Sequence, residues 1–134
     1  MNLEVHLQVI GAVLVLLALV HGIFPRYFRW RDELASLSLI NRQVMKVHTL
    51  FIALIVLLMG LLCLTSAADL NSTPLGRRIA LGMAIFWFLR LLVQFFGYSS
   101  ELWRGKRFET AAHVLAASMW LYFTVILALV ALAD

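Results

Sequence analysis

Residues 44–64 read VMKVHTLFIALIVLLMGLLCL, twenty-one positions with Lys46 as their one charge. As a helix, such a run rises about 30 Å, the thickness of a bilayer's hydrocarbon core. Lipid offers no water to backbone N–H and C=O groups, so the segment must satisfy them internally and is predicted helical. Three more runs lie on either side of it. Leu3 to Phe24 is interrupted only by Glu4, His6, Gln8 and His21, and Ile79 to Phe96 and Ala111 to Ala133 complete the set.

Composition agrees with this reading. Apolar residues make up 63% and charged residues 13% of the 134 positions, against roughly half and about a quarter in an ordinary soluble domain. A chain this short cannot hide that excess in its own core, so much of it must face lipid. The fold class expected is an all-α membrane protein, a four-transmembrane-helix up-down bundle with a short interfacial helix in the first cytoplasmic loop. It is read as a single domain over 1–134, with helices at about 3–24, 43–65, 74–98 and 109–133.

Punctuation residues set these limits. Pro25 should end the first span, and Thr73 followed by Pro74 is an N-cap and first-turn pair for the third. Asp69 to Thr73 reads as a short polar loop, and Gly97 with Ser99 and Ser100 marks the third span's end. The first run is expected to be a retained helix and not a signal peptide. It has no basic n-region, it is too long, and no small-residue cleavage site precedes Pro25. Asn71-Ser72-Thr73 fits a glycosylation acceptor, though a chance match beside a helix cap is the plainer reading. Cys63 is the lone cysteine. It excludes an intrachain disulfide and is expected as a small buried hydrophobe.

The net charge of +4 is not spread along a basic domain, so nucleic acid is not an expected partner. The basic residues cluster in loops instead. Arg26, Arg29, Arg31, Arg42 and Lys46 lie between the first two spans, and Arg104, Lys106 and Arg107 between the last two. Only Arg77 and Arg78 are on the other side, an eight-to-two bias. That bias predicts cytoplasmic long loops and outside termini in a bacterial inner membrane. Phe24, Tyr27, Phe28 and Trp30 interleave with the first loop's arginines, and Asp32 to Leu39 has helical composition. Trp103 and Phe108 repeat the chemistry in the last loop. Aromatics beside arginines anchor at the headgroup level, so anionic lipid headgroups are the expected partner.

Ionisable residues inside a span are the first candidates for function. Arg90 lies seven residues inside Gly97, a depth of about 10 Å. Its side chain leans toward the helix N-terminus, away from the nearer headgroups, so snorkelling is awkward. An arginine so placed costs up to about 3 kcal/mol and should have an acceptor. Gln94 and Tyr98 follow at i+4 and i+8, making one polar stripe with it. The acceptor is expected to be Glu109 or a backbone carbonyl in a structural role. In a functional role it is a carboxylate, a phosphate or a haem propionate.

His21, His48 and His113 each fall about one turn inside the basic end of a span. Alternating helix direction predicts one common depth for them. Such a trio matches the ligand set of zinc, iron or copper, and two facing rings would suit haem b, with Arg90 on a propionate. Glu109 is one turn before His113, so the pair is a candidate for proton transfer. Equally, interfacial histidines are often plain wet side chains. No HExxH, CxxC or CxxCH motif narrows the choice.

Ala80 with Ala84, and Ala112 with Ala116, are expected to let the last two helices approach closely. Trp87 and Trp120 read as bulk, and His6 as incidental. Three functions follow. One is a haem or metal protein in redox chemistry, using His21, His48, His113 and Arg90, with Gln94 and Tyr98 beside them. Another is an interfacial enzyme or binding protein for an anionic lipid-like substrate. The last is a homo-oligomer or non-catalytic subunit whose polar cluster holds helices together.

Overall fold

The computed structural model describes residues 1–133, and all the regular structure among them is helical. In chain order the elements are α1 (Leu3–His21), α2 (Phe24–Tyr27), α3 (Trp30–Glu33) and α4 (Leu39–Thr65). They continue with α5 (Ala67–Ser72), α6 (Pro74–Phe96), a 3-10 turn (Ser100–Leu102) and α7 (Arg107–Ala131). Helices α1, α4, α6 and α7 are each long and apolar enough to cross a membrane. The chain is an all-α membrane protein with four spanning helices. Leu16, Leu50, Phe51, Leu89 and Leu115 are each more than half exposed along them, as lipid-facing side chains should be.

Several boundaries differ from the sequence expectation, each for a local reason. The first span stops at His21, where Gly22 and Ile23 donate to the carbonyls three residues back and tighten the chain into a turn. The connecting loop holds two single turns, α2 and α3, in place of a helix over Asp32 to Leu39. Pro25 sits in the first turn of α2, and Arg29 between the two turns adopts a left-handed φ of 51°. Helix α4 begins at Leu39, four residues early, because the Ser38 hydroxyl accepts the Asn41 N–H. The expected polar loop at Asp69 to Thr73 is largely helix α5. Thr73 and Pro74 do start α6, the Thr73 Oγ1 accepting the Gly76 N–H at 2.9 Å. Gly97 closes α6 by donating to the Val93 carbonyl, and α7 starts two residues early at Arg107.

The chain forms two compact units, one comprising Gln8–Ala67 and the other Met1–Leu7 with the residues from Ala68 onward. In the first unit, α1 and α4 meet backbone to backbone. A Cβ on Gly60 would lie 2.9 Å from the Gly11 carbonyl oxygen and 3.0 Å from both Leu14 Cβ and Val15 N. Leu14, Val56 and Cys63 are buried in this unit, Cys63 completely.

The second unit is built on α6 against α7. Ala80 and Ala84 are buried, as small-residue spacing predicts, along with Met83 and Trp87. On α7 the buried positions are Trp120, Phe123, Ile126, Leu127 and Val130. Ala112 is exposed, so the second small-residue pair does not form a seam. Trp87 and Trp120 stack with centroids 4.9 Å apart and planes 15° from parallel, and Phe123 meets both edge-on. Gly76 lets α6 fold back on α5, since a side chain there would run into the Asp69 carbonyl and the Leu70 backbone.

Candidate functional site

Gln94 is the one buried polar side chain among the described residues. It joins the two sequence candidates nearest to it. Arg90 Nη1 donates to Gln94 Oε1 at 3.1 Å, and Gln94 Nε2 lies 2.8 Å from His113 Nδ1. The order of these bonds fixes the protons. A guanidinium only donates, so the amide oxygen must face Arg90 and the amide NH₂ must face His113. Nδ1 of His113 is therefore the acceptor, and the neutral ring carries its proton on Nε2.

The surroundings of this chain of bonds are aromatic. The Arg90 guanidinium lies 5.2 Å from the Trp120 ring centroid and 5.7 Å from that of Tyr98. His113 stacks on Trp103 at 4.0 Å with planes 12° apart, and Phe95 meets it edge-on. Thr110 Oγ1 donates to the Trp103 carbonyl at 2.6 Å and ties that loop to α7. Trp87 and Trp120 are 2% and 5% exposed, yet neither buried indole N–H has a partner among the described residues. Two unpaired donors in an apolar core are costly, at about 1–3 kcal/mol each.

Arg90, Gln94, Tyr98 and His113 thus come together, as the polar-stripe reading expected for the first three. Glu109 does not join them. It is exposed, and among the described residues the one ion pair is Arg29 with Asp32, at 3.2 Å on an exposed turn. Arg90 takes its acceptor from a neutral amide and its charge contacts from π-faces, each worth about 0.5–2 kcal/mol.

His21 and His48 have a different setting. Their Nδ1 atoms lie 2.8 Å from the carbonyls of Leu17 and Val44, one turn back on their own helices. A carbonyl only accepts, so Nδ1 carries the proton and Nε2 keeps a free lone pair, the tautomer opposite to that of His113. Among the described residues, no three His, Cys, Asp or Glu side chains are gathered so as to hold a metal ion. His6 has a definite partner after all, its Nδ1 lying 2.8 Å from the Tyr122 hydroxyl.

The tryptophans are what the sequence reading left out of the site. A signal was present. Trp87, Arg90 and Gln94 follow at i, i+3 and i+7 on α6, and His113 and Trp120 are seven apart on α7, which puts each set on one helix face. Together the fold and this cluster define a four-span membrane protein with a donor-rich aromatic site on its last two spans. Comparison with protein-family models, curated proteins and solved structures finds no match to this chain.

Proposed function

We propose that the protein binds an amphiphile with an anionic head, a carboxylate or phosphate, at Arg90. The observation that carries this reading is an excess of donors without acceptors. Arg90 has one hydrogen bond, His113 presents Nε2–H, and the Trp87 and Trp120 indoles are unpartnered. An acceptor-rich anion neutralises the guanidinium, and the aromatic faces of Trp120 and Tyr98 beside it suit an apolar tail. The eight-to-two distribution of loop cations supports a cytoplasmic position for the long loops, with outside termini, in a bacterial inner membrane.

The test is thermal unfolding of the protein in neutral detergent with oleate or its uncharged methyl ester. Oleate is expected to raise the unfolding temperature and the ester is not. A ligand at a hundred times its Kd adds about 2.7 kcal/mol. Arg90→Ala should abolish the oleate effect, and Arg90→Lys should retain part of it. A wild-type protein indifferent to oleate sinks the proposal.

A second reading, haem b held by histidine, draws on a separate observation. His21 and His48 each give Nδ1–H to a backbone carbonyl and leave Nε2 free, the arrangement that orients an iron-ligating imidazole. Protein purified from haem-replete cells should then show a bis-imidazole absorption spectrum that His48→Ala removes. Folded protein without visible absorption argues against it.

A further inference from the structure

The strongest charged feature outside the Arg90 cluster lies in the Gln8–Ala67 unit. A groove of about 550 Å³ runs between the α2–α3 turns and the first two turns of α4. Its lining carries Arg26, Arg31, Arg42 and Lys46, with Trp30 and Leu34 among the apolar walls, and no acidic residue. Four cations share one concavity, and among the described residues none is in an ion pair. Asp32, the acid nearest in sequence to Arg31, is engaged elsewhere by Arg29, 3.2 Å away.

The backbone explains how the groove is made. Pro25 starts α2, the left-handed residue Arg29 turns the chain, and α3 then directs Trp30 inward to 9% exposure. The Ser38 cap begins α4 early enough to put Arg42 and Lys46, four residues apart, along one face. The result combines a compact positive wall with an apolar floor.

We propose that this groove binds the phosphate of an anionic phospholipid headgroup, with Trp30 and Leu34 against the adjoining glycerol and acyl carbons. Guanidinium groups match phosphate oxygens in geometry and charge, and the apolar floor has no use for a free ion. The groove's residues belong to the Gln8–Ala67 unit, and the Arg90 cluster belongs to the other.

The experiment titrates the full-length protein in neutral detergent with short-chain phosphatidylglycerol, short-chain phosphatidylcholine or inorganic phosphate, reading thermal stabilisation. Phosphatidylglycerol is expected to bind well, and the other two at least tenfold more weakly. Arg42→Gln with Lys46→Gln should weaken phosphatidylglycerol roughly 30-fold, since a cation at a membrane surface is worth about fivefold. Arg26→Gln with Arg31→Gln, on a separate element, should act in the same direction. Lys106→Gln with Arg107→Gln removes equal charge from the last loop and should leave binding unchanged. Equal loss from that control pair overturns the proposal, because diffuse attraction then explains the binding. Inorganic phosphate as effective as the lipid overturns the lipid assignment. If Arg90→Ala abolishes phosphatidylglycerol binding while the groove variants retain it, the lipid sits at the Arg90 cluster and the groove is overturned.

Discussion

Gly60→Leu is expected to lower the unfolding temperature of the detergent-solubilised protein by roughly 3–10 °C, at a cost of about 1–3 kcal/mol or more. The new Cβ would stand 2.9 Å from the Gly11 carbonyl and 3.0 Å from Val15 N, both backbone atoms. A side chain can swing aside, but a helical backbone moves only if the helix moves with it. The two spans would have to part, and the dispersion contacts of Leu14 and Val56 would loosen with them. The matching control is Gly82→Ala. A Cβ there meets nothing within 4 Å, so the change should be neutral or add up to about 0.5–1 kcal/mol from helix propensity. Equal losses at both positions would mean that close approach at Gly60 is not what holds α1 to α4.

Gln94→Glu should switch the proton on His113. The amide now accepts from Arg90 with one end and donates to His113 Nδ1 with the other. A carboxylate can accept from both neighbours and donate to neither, so His113 must present an N–H at Nδ1. The ring then becomes either the other tautomer or the imidazolium, and nitrogen NMR of labelled histidine separates these from the native Nε2–H form. An unchanged Nε2–H signal would refute the chain of bonds. Gln94→Leu removes both bonds together, leaving the Arg90 guanidinium without its acceptor and His113 Nδ1 without its donor. It is expected to cost about 1.5–3 kcal/mol, the scale of a hydrogen bond to a charged group.

The four spans were legible in the sequence because length and apolarity are properties of a single segment. Residues 44–64 declare a spanning helix with no knowledge of neighbours. Caps were partly legible. Thr73-Pro74 is legible as a cap pair, whereas Ser38 is not, since its effect shows only once the Asn41 N–H turns toward it. The left-handed turn at Arg29 had no marker, because neither glycine nor asparagine stands there. Arg90 was legible as an anomaly, but its partner was not. Electrostatic reasoning offers Glu109, a backbone carbonyl or a bound anion, while packing delivers Gln94 and the faces of Tyr98 and Trp120. The roles of Trp87 and Trp120 come from the packing of α6 on α7, which periodicity does not register.

Helix α4 has one more consequence, from the placement of its polar residues. Lys46 and Thr65 bracket an almost wholly apolar interval of nineteen steps, which measures about 28 Å along the axis. An average hydrocarbon slab is about 30 Å deep. The interval is thus about as long as the slab is deep, and in a thicker membrane the lysine must stretch or the lipid must thin around it. The eleven residues from Leu39 to Thr49 then straddle the headgroup boundary, so bilayer thickness sets the depth at which Arg42 and His48 ride.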